Sequence, residues 1–147
     1  MDADTSPPGP GAPSGETYDW FVRGRALLES GDPGAAAELL AHVVAADPTS
    51  RAGWEGLARA RFDTGQYAAA AEAFTHLVQV APDDDYAQFG LGLCAWRLGD
   101  LVLASEHLTM AAVMRPDRAD YVRALQQVRA TRRARGEALG PGPELQT

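Results

Sequence analysis

Lysine, isoleucine and asparagine are absent from this 147-residue chain, and cysteine occurs once. A lone thiol, Cys94, closes no internal disulfide and cannot supply a zinc site of two or more thiolates. It fits a reducing compartment, so the cytoplasm is the expected location. All thirteen basic residues are arginine. The codons of the three missing residue types are AT-rich, which points to a high-G+C bacterial genome. Long apolar runs are missing too. No stretch approaches the about 20 residues that a membrane span requires. The segment from Met1 to Glu16 is acidic and rich in proline and glycine, and lacks the apolar run of a signal peptide. Aromatics are scarce at 7%, so a core must rest on close helix contacts rather than large rings.

Hydrophobic residues reach 46% and lean on alanine, the best helix former. That is enough for one compact domain. The formal charge is −7, unevenly spread. Residues 1–50 carry eight acids and two bases, and residues 117–147 carry four acids and six bases. The acidic balance argues against non-specific nucleic-acid binding by the chain as a whole.

A period of 34 residues runs through the middle. Pro48, Pro82 and Pro116 share it, as do Gly31, Gly65 and Gly99, Glu38, Glu72 and Glu106, and Ala36, Ala70 and Ala104. Trp20 and Trp54 repeat it once more. The units are 17–50, 51–84 and 85–118, each divided by its glycine into two amphipathic patterns. Glycine tolerates the left-handed backbone at a helix end, and proline stops the second helix of each pair. Thr49 or Ser50, Asp83 or Asp84, and Asp117 are placed to cap the helices that follow. Small residues are expected to meet across each turn, Gly24 with Ala36, Ala58 with Ala70 and Gly92 with Ala104, while Leu40, Phe74 and Leu108 fill the seam beyond.

These columns resemble the tetratricopeptide repeat. Trp20, Gly24, Ala36, Leu40 and Pro48 carry the pattern in the first unit. Trp54, Leu57, Ala58, Ala70, Phe74 and Pro82 carry it in the second, and Leu91, Gly92, Ala104, Ala111 and Pro116 in the third. Gln88 stands where an aromatic is usual, and Leu27, Arg61 and Ala95 replace a tyrosine, which should loosen packing there. The resemblance implies an all-α solenoid of three antiparallel helix pairs. A further helix over 117–135, with a stripe of Val122, Leu125 and Val128, closes its open end. Residues 17–135 then form the domain, between disordered tails at 1–16 and 136–147.

The resemblance also implies a concave groove lined by the first helix of each pair and able to hold a protein or peptide. Trp20, Trp54 and Phe74 fall on core positions. Arg25, Arg59, Phe62, Phe89, Trp96 and Arg97 fall off them and are the candidate partner-binding residues, of the types enriched at binding hot spots. The groove positions that clamp a carboxylate tail in chaperone-binding relatives carry Phe21, Arg25, Gly56, Tyr86 and Gly90, so that clamp is not expected. The short acidic format also resembles chaperones of secreted proteins, a second reading.

A catalytic set is missing, and the expectation is a non-enzymatic interaction module with no cofactor and no metal. His42 and His76 are a full repeat apart and read as solvated; no His-x-x-x-His pair occurs. Gly90-Leu91-Gly92 is a packing feature inside a helix rather than a phosphate loop. Asp83-Asp84-Asp85 begins a helix and reads as cap and dipole complement. Arg129, Arg132, Arg133 and Arg135 sit where arginines favour a helix C-terminus, and alternatively offer a site for nucleic acid or anionic lipid. Self-association through the ends of the array stays open.

Overall fold

The computed structural model describes residues 15–138. Among these the chain is all-α, seven helices without a strand, and it divides into two compact units at Pro82. The first holds α1 (Gly15–Glu29), α2 (Pro33–Ala46), α3 (Arg51–Asp63) and α4 (Tyr67–Val80). The second holds α5 (Asp85–Arg97), α6 (Leu101–Met114) and α7 (Ala119–Ala138). Most of both expected tails lies outside the described residues, although α1 already begins at Gly15 and α7 continues to Ala138.

The repeated glycines act as the period implies. Gly31, Gly65 and Gly99 have φ of 87°, 79° and 88°, each just past a helix end. At Gly65 the amide donates to the Phe62 carbonyl, and Gln66 N–H donates to Arg61. This pair of bonds satisfies the last carbonyls of α3, and the same pair recurs after α1 and α5. Each proline stops a helix through the residue before it. Asp47, Ala81 and Arg115 hold extended backbone with φ near −136° to −138°, because proline excludes its predecessor from the helical region. Asp32, Ser50, Asp84 and Asp100 then accept from the first-turn amides of α2, α3, α5 and α6. Asp117 does not cap α7. Its carboxylate is taken by a two-pronged bond from Arg115, and the helix starts two residues later.

In the first unit Leu40 of α2 is fully buried between two glycines. A Cβ at Gly24 would stand 2.8 Å from Leu40 Cγ, and one at Gly56 would stand 3.0 Å from Leu40 Cδ1. The tight approach at Gly24 is therefore to Leu40 itself, not to Ala36 as the spacing suggested. At Gly92 the neighbour is Leu108, 2.6 Å from a built Cβ, instead of Ala104. In the α1–α2 and α5–α6 hairpins the seam leucine, not the alanine, sets the closeness. Phe74, Leu57 and Leu77 complete the first core with Ala58, Ala70 and Ala73. Burying each large side chain contributes about 1.5–3 kcal/mol.

The tryptophans depart from the core reading. Trp20 and Trp54 are half-buried. Trp54 lies flat against His76, ring centroids 4.2 Å apart, and its indole N–H donates to the Pro48 carbonyl at 2.8 Å. Trp20 meets His42 at 5.4 Å. An indole has a polar edge that needs a partner, so it settles at the margin where the Pro48 carbonyl is available. His76 is consequently half-buried rather than solvated. In the second unit the same column is Gln88, buried, with Oε1 2.8 Å from His107 Nδ1. That hydrogen bond replaces the ring stack, and the packing there is not loosened.

The second core joins Ala95, Leu101, Ala104 and Leu108 to Ala124, Leu125 and Val128 of α7. Tyr121 is the largest fully buried side chain. Its hydroxyl donates to Asp85 Oδ2 at 2.6 Å, and its ring stacks on Phe89 at 4.5 Å. The buried stripe of α7 is thus Tyr121, Ala124, Leu125 and Val128, with Val122 only half-buried.

Candidate functional site

Within the first unit, α1 and α3 lie side by side against α2. Because Gly24 and Gly56 let both helices settle onto Leu40, the surface between α1 and α3 is a hollow rather than a filled ridge. The hollow measures about 270 Å³ and is lined by Phe21, Arg25 and Leu28 of α1 and by Arg51, Ala52, Glu55, Gly56 and Arg59 of α3. A second hollow of about 170 Å³ shares Phe21 and Ala52 with it and continues past Thr17, Tyr18 and Asp47.

Three arginines thus face one cavity with one phenyl ring. Arg25 stands 5.9 Å above the Phe21 ring and 3.5 Å from Glu29. Arg59 reaches Asp63 at 3.9 Å. Both ion pairs run from a residue to the one four positions on, and the side chains are 44–66% exposed. Exposed pairs of this kind contribute only about 0.3–0.5 kcal/mol, so a ligand carboxylate can replace the intrahelical one at little cost. A guanidinium can then grip that group through two parallel N–H bonds while Phe21 offers an apolar face.

Of the residues singled out by sequence, Arg25 and Arg59 come together in this cavity. Phe62 does not line it. Its ring meets Tyr67 edge-on, centroids 5.0 Å apart, across the turn between α3 and α4. Phe89 and Trp96 belong to the second unit, where both pack half-buried against the core beneath α7. Arg97 is exposed in the last turn of α5. Glu55 is an inward groove position by its register and lines the cavity as well; Arg51 carries no such assignment, although Arg51, Glu55 and Arg59 repeat at spacing four and so share one face of α3.

Other candidate chemistry is placed as follows. Cys94 is buried, and burial pushes its thiol up to about 12, which leaves it neutral and enclosed. Among the described residues no three His, Cys, Asp or Glu side chains converge as metal ligands, and no helix is long and apolar enough to cross a membrane. Of the Asp83-Asp84-Asp85 run, Asp84 caps α5 and Asp85 accepts from Tyr121. Arg129, Arg132, Arg133 and Arg135 are all exposed on α7.

A family model described as the tetratricopeptide repeat matches residues 21–75 and 55–119. None of the curated proteins matches the sequence. Solved structures do. The first such domain of Spaghetti (RPAP3), bound to an HSP90 peptide, is similar at a TM-score of 0.78 and 17% identity, covering 84% of this chain and 98% of that one. The Yersinia enterocolitica type III secretion chaperone SycD, in complex with a peptide of the translocator YopD, gives 0.74 and 16%, covering 82% and 97%. MamA from Desulfovibrio magneticus gives 0.76 and 22%, covering 79% and 66%.

Proposed function

The chain belongs to the tetratricopeptide-repeat family, and we propose that it is a non-enzymatic interaction module that docks a segment of another protein on the surface formed by its first helices. The observation that carries this reading is the cavity between α1 and α3, where Arg25, Arg51 and Arg59 outnumber the one carboxylate, Glu55, around Phe21, Leu28, Ala52 and Gly56. Aromatic and arginine side chains around a hollow are the composition of a binding hot spot. The Spaghetti domain and SycD each hold a peptide on the same fold. The guanidinium content favours a segment carrying a carboxylate next to an apolar side chain. Phe62 in the first unit and Phe89, Trp96 and Arg97 in the second remain candidate contact residues of their own units, with Phe89 and Trp96 serving also as packing residues. The expected setting is the cytoplasm of a bacterial cell.

The test is co-purification from native cells with the wild-type chain and an Arg25→Ala/Arg59→Ala variant. Both side chains are exposed, so the fold should survive the change. Loss of the captured protein, with the circular dichroism unchanged, is the expected outcome. Capture at full yield by the double variant would remove the cavity from the account.

A further inference from the structure

The two hollows of the first unit differ in character. The second has apolar walls of Tyr18, Phe21, Val43 and Ala52. Its polar members Asp47 and Ser50 are committed, because Asp47 accepts from the Thr49 amide and hydroxyl and Ser50 caps α3. Tyr18 is 61% exposed, so an added segment can cover its ring. The first hollow sets three arginines against Glu55. Phe21 and Ala52 belong to both, so the hollows form one track along α1 from Thr17 to Arg25. The chain enters α1 at the apolar end of that track, since Gly15 opens the helix and Thr17 and Tyr18 follow in its first turn. Residues 1–14 carry Asp2 and Asp4, the prolines Pro7, Pro8, Pro10 and Pro13, and no basic side chain. Counting back from Gly15, the prolines come before the acids. Moving along α1 away from Gly15, the apolar hollow comes before the arginines.

We propose that residues 2–8 of this chain lie back along α1 and occupy both hollows, so that a docking partner must displace them. Pro7 and Pro8 cover Tyr18 and Phe21, and Asp4 reaches Arg25 and the arginines beside it. The inference rests on the docking reading above and adds its regulation. Proline-rich segments suit aromatic-lined grooves because their extended form is already set before binding. The spacings agree. Asp4 to Pro7 spans about 9 Å at about 3.1 Å per residue, and Tyr18 to Arg25 spans about 10 Å at about 1.5 Å per helical residue. Pro8-Gly9 and Pro10-Gly11 supply the reversal before α1. Each guanidinium has five N–H donors. The single exposed contacts of Arg25 with Glu29 at 3.5 Å and Arg59 with Asp63 at 3.9 Å leave donors for Asp4. The local balance decides the charge match, because exposed charges beyond about 8 Å are screened at physiological salt. Tethering supplies an effective concentration of about millimolar, which populates even a weak contact.

A nitroxide on Thr5→Cys of the full chain, read through the backbone amide signals, tests this. Cys94 is buried and does not take the label. The Ala52, Gly56 and Arg59 amides of α3 should lose several-fold more intensity with Asp2 and Asp4 in place than in the Asp2→Asn/Asp4→Asn variant. Losses confined to the first turn of α1, or equal with and without the two acids, overturn the proposal. In a mixture of nitroxide-bearing chains and isotope-labelled chains without nitroxide, the same amides should be unchanged. Broadening there would give the hollow to the segment of another copy and overturn the intrachain contact. No partner is present in these measurements, so the docking reading fails separately. A nitroxide contact together with undiminished capture by Arg25→Ala/Arg59→Ala sinks the docking reading alone. Capture lost in that variant, with no nitroxide contact, sinks this inference alone.

Discussion

At the scale of single residues, closeness is set by glycine against leucine. Gly92 is the sharpest instance, because a Cβ there would meet Leu108 Cγ at 2.6 Å and the Leu108 backbone nitrogen at 3.2 Å. The side-chain atom can rotate aside, but the backbone atom cannot. Gly92→Ala should therefore destabilise the chain by about 1–3 kcal/mol despite alanine's better helix propensity. Urea unfolding monitored at 222 nm checks it; a stabilised variant would show that α5 and α6 can part freely. The turn glycines Gly31, Gly65 and Gly99 were legible because all three share a period and a backbone need. Leu40 and Leu108 as the opposing atoms were not, since spacing gives the row that meets a glycine but not which side chain on that row leans into the gap.

At the scale of elements, the helix boundaries follow from glycine, proline and caps, and all of these are local signals. What escaped sequence reasoning is pairing between elements. The Trp54–His76 stack joins two residues that each repeat at 34, so the coincidence of Trp20, His42, Trp54 and His76 was present in the sequence. Tyr121 gave no such signal. Its partners Asp85 and Phe89 lie a whole repeat earlier, and only the packing of α7 brings them together. That packing makes α7 indispensable to the second unit. A chain ending at Arg118 should expose Leu101 and Leu108, bind a hydrophobic dye and melt at a lower temperature. A truncated chain with an unchanged melt and no dye binding would contradict the closing role of α7.

At the scale of the whole molecule, stability should be flat near neutrality and fall on both sides. Burial lowers the basicity of His107 below its ordinary value near 6.5, with Glu106 opposing. Below that value the unfolded chain takes up the proton first, so stability declines as pH falls through the lower folded value. Burial raises the Cys94 thiol from an ordinary 9.0 to about 12. Burial, with the bond to Asp85, also raises the Tyr121 phenol. Both groups stay protonated in the folded chain after the unfolded chain has ionised them, so stability falls as pH rises above about 9. Thermal melts from mildly acidic to alkaline buffer should trace this plateau; a melting temperature still rising above pH 9 would contradict it.

Family and fold were legible because a repeat states its own register many times. The candidate site was legible only in part. Arg25 and Arg59 could be placed on exposed faces from their spacing, but the hollow beside them exists because two glycines lower α1 and α3 onto Leu40. The measurement that bears most directly on the docking role is photocrosslinking from Ala52, an exposed residue that lines both hollows. With a photoreactive side chain at Ala52, irradiation in native cells should give a defined adduct with another protein, and the same side chain at exposed Ala68 on α4 should not. Adducts from Ala68 and none from Ala52 would contradict the account.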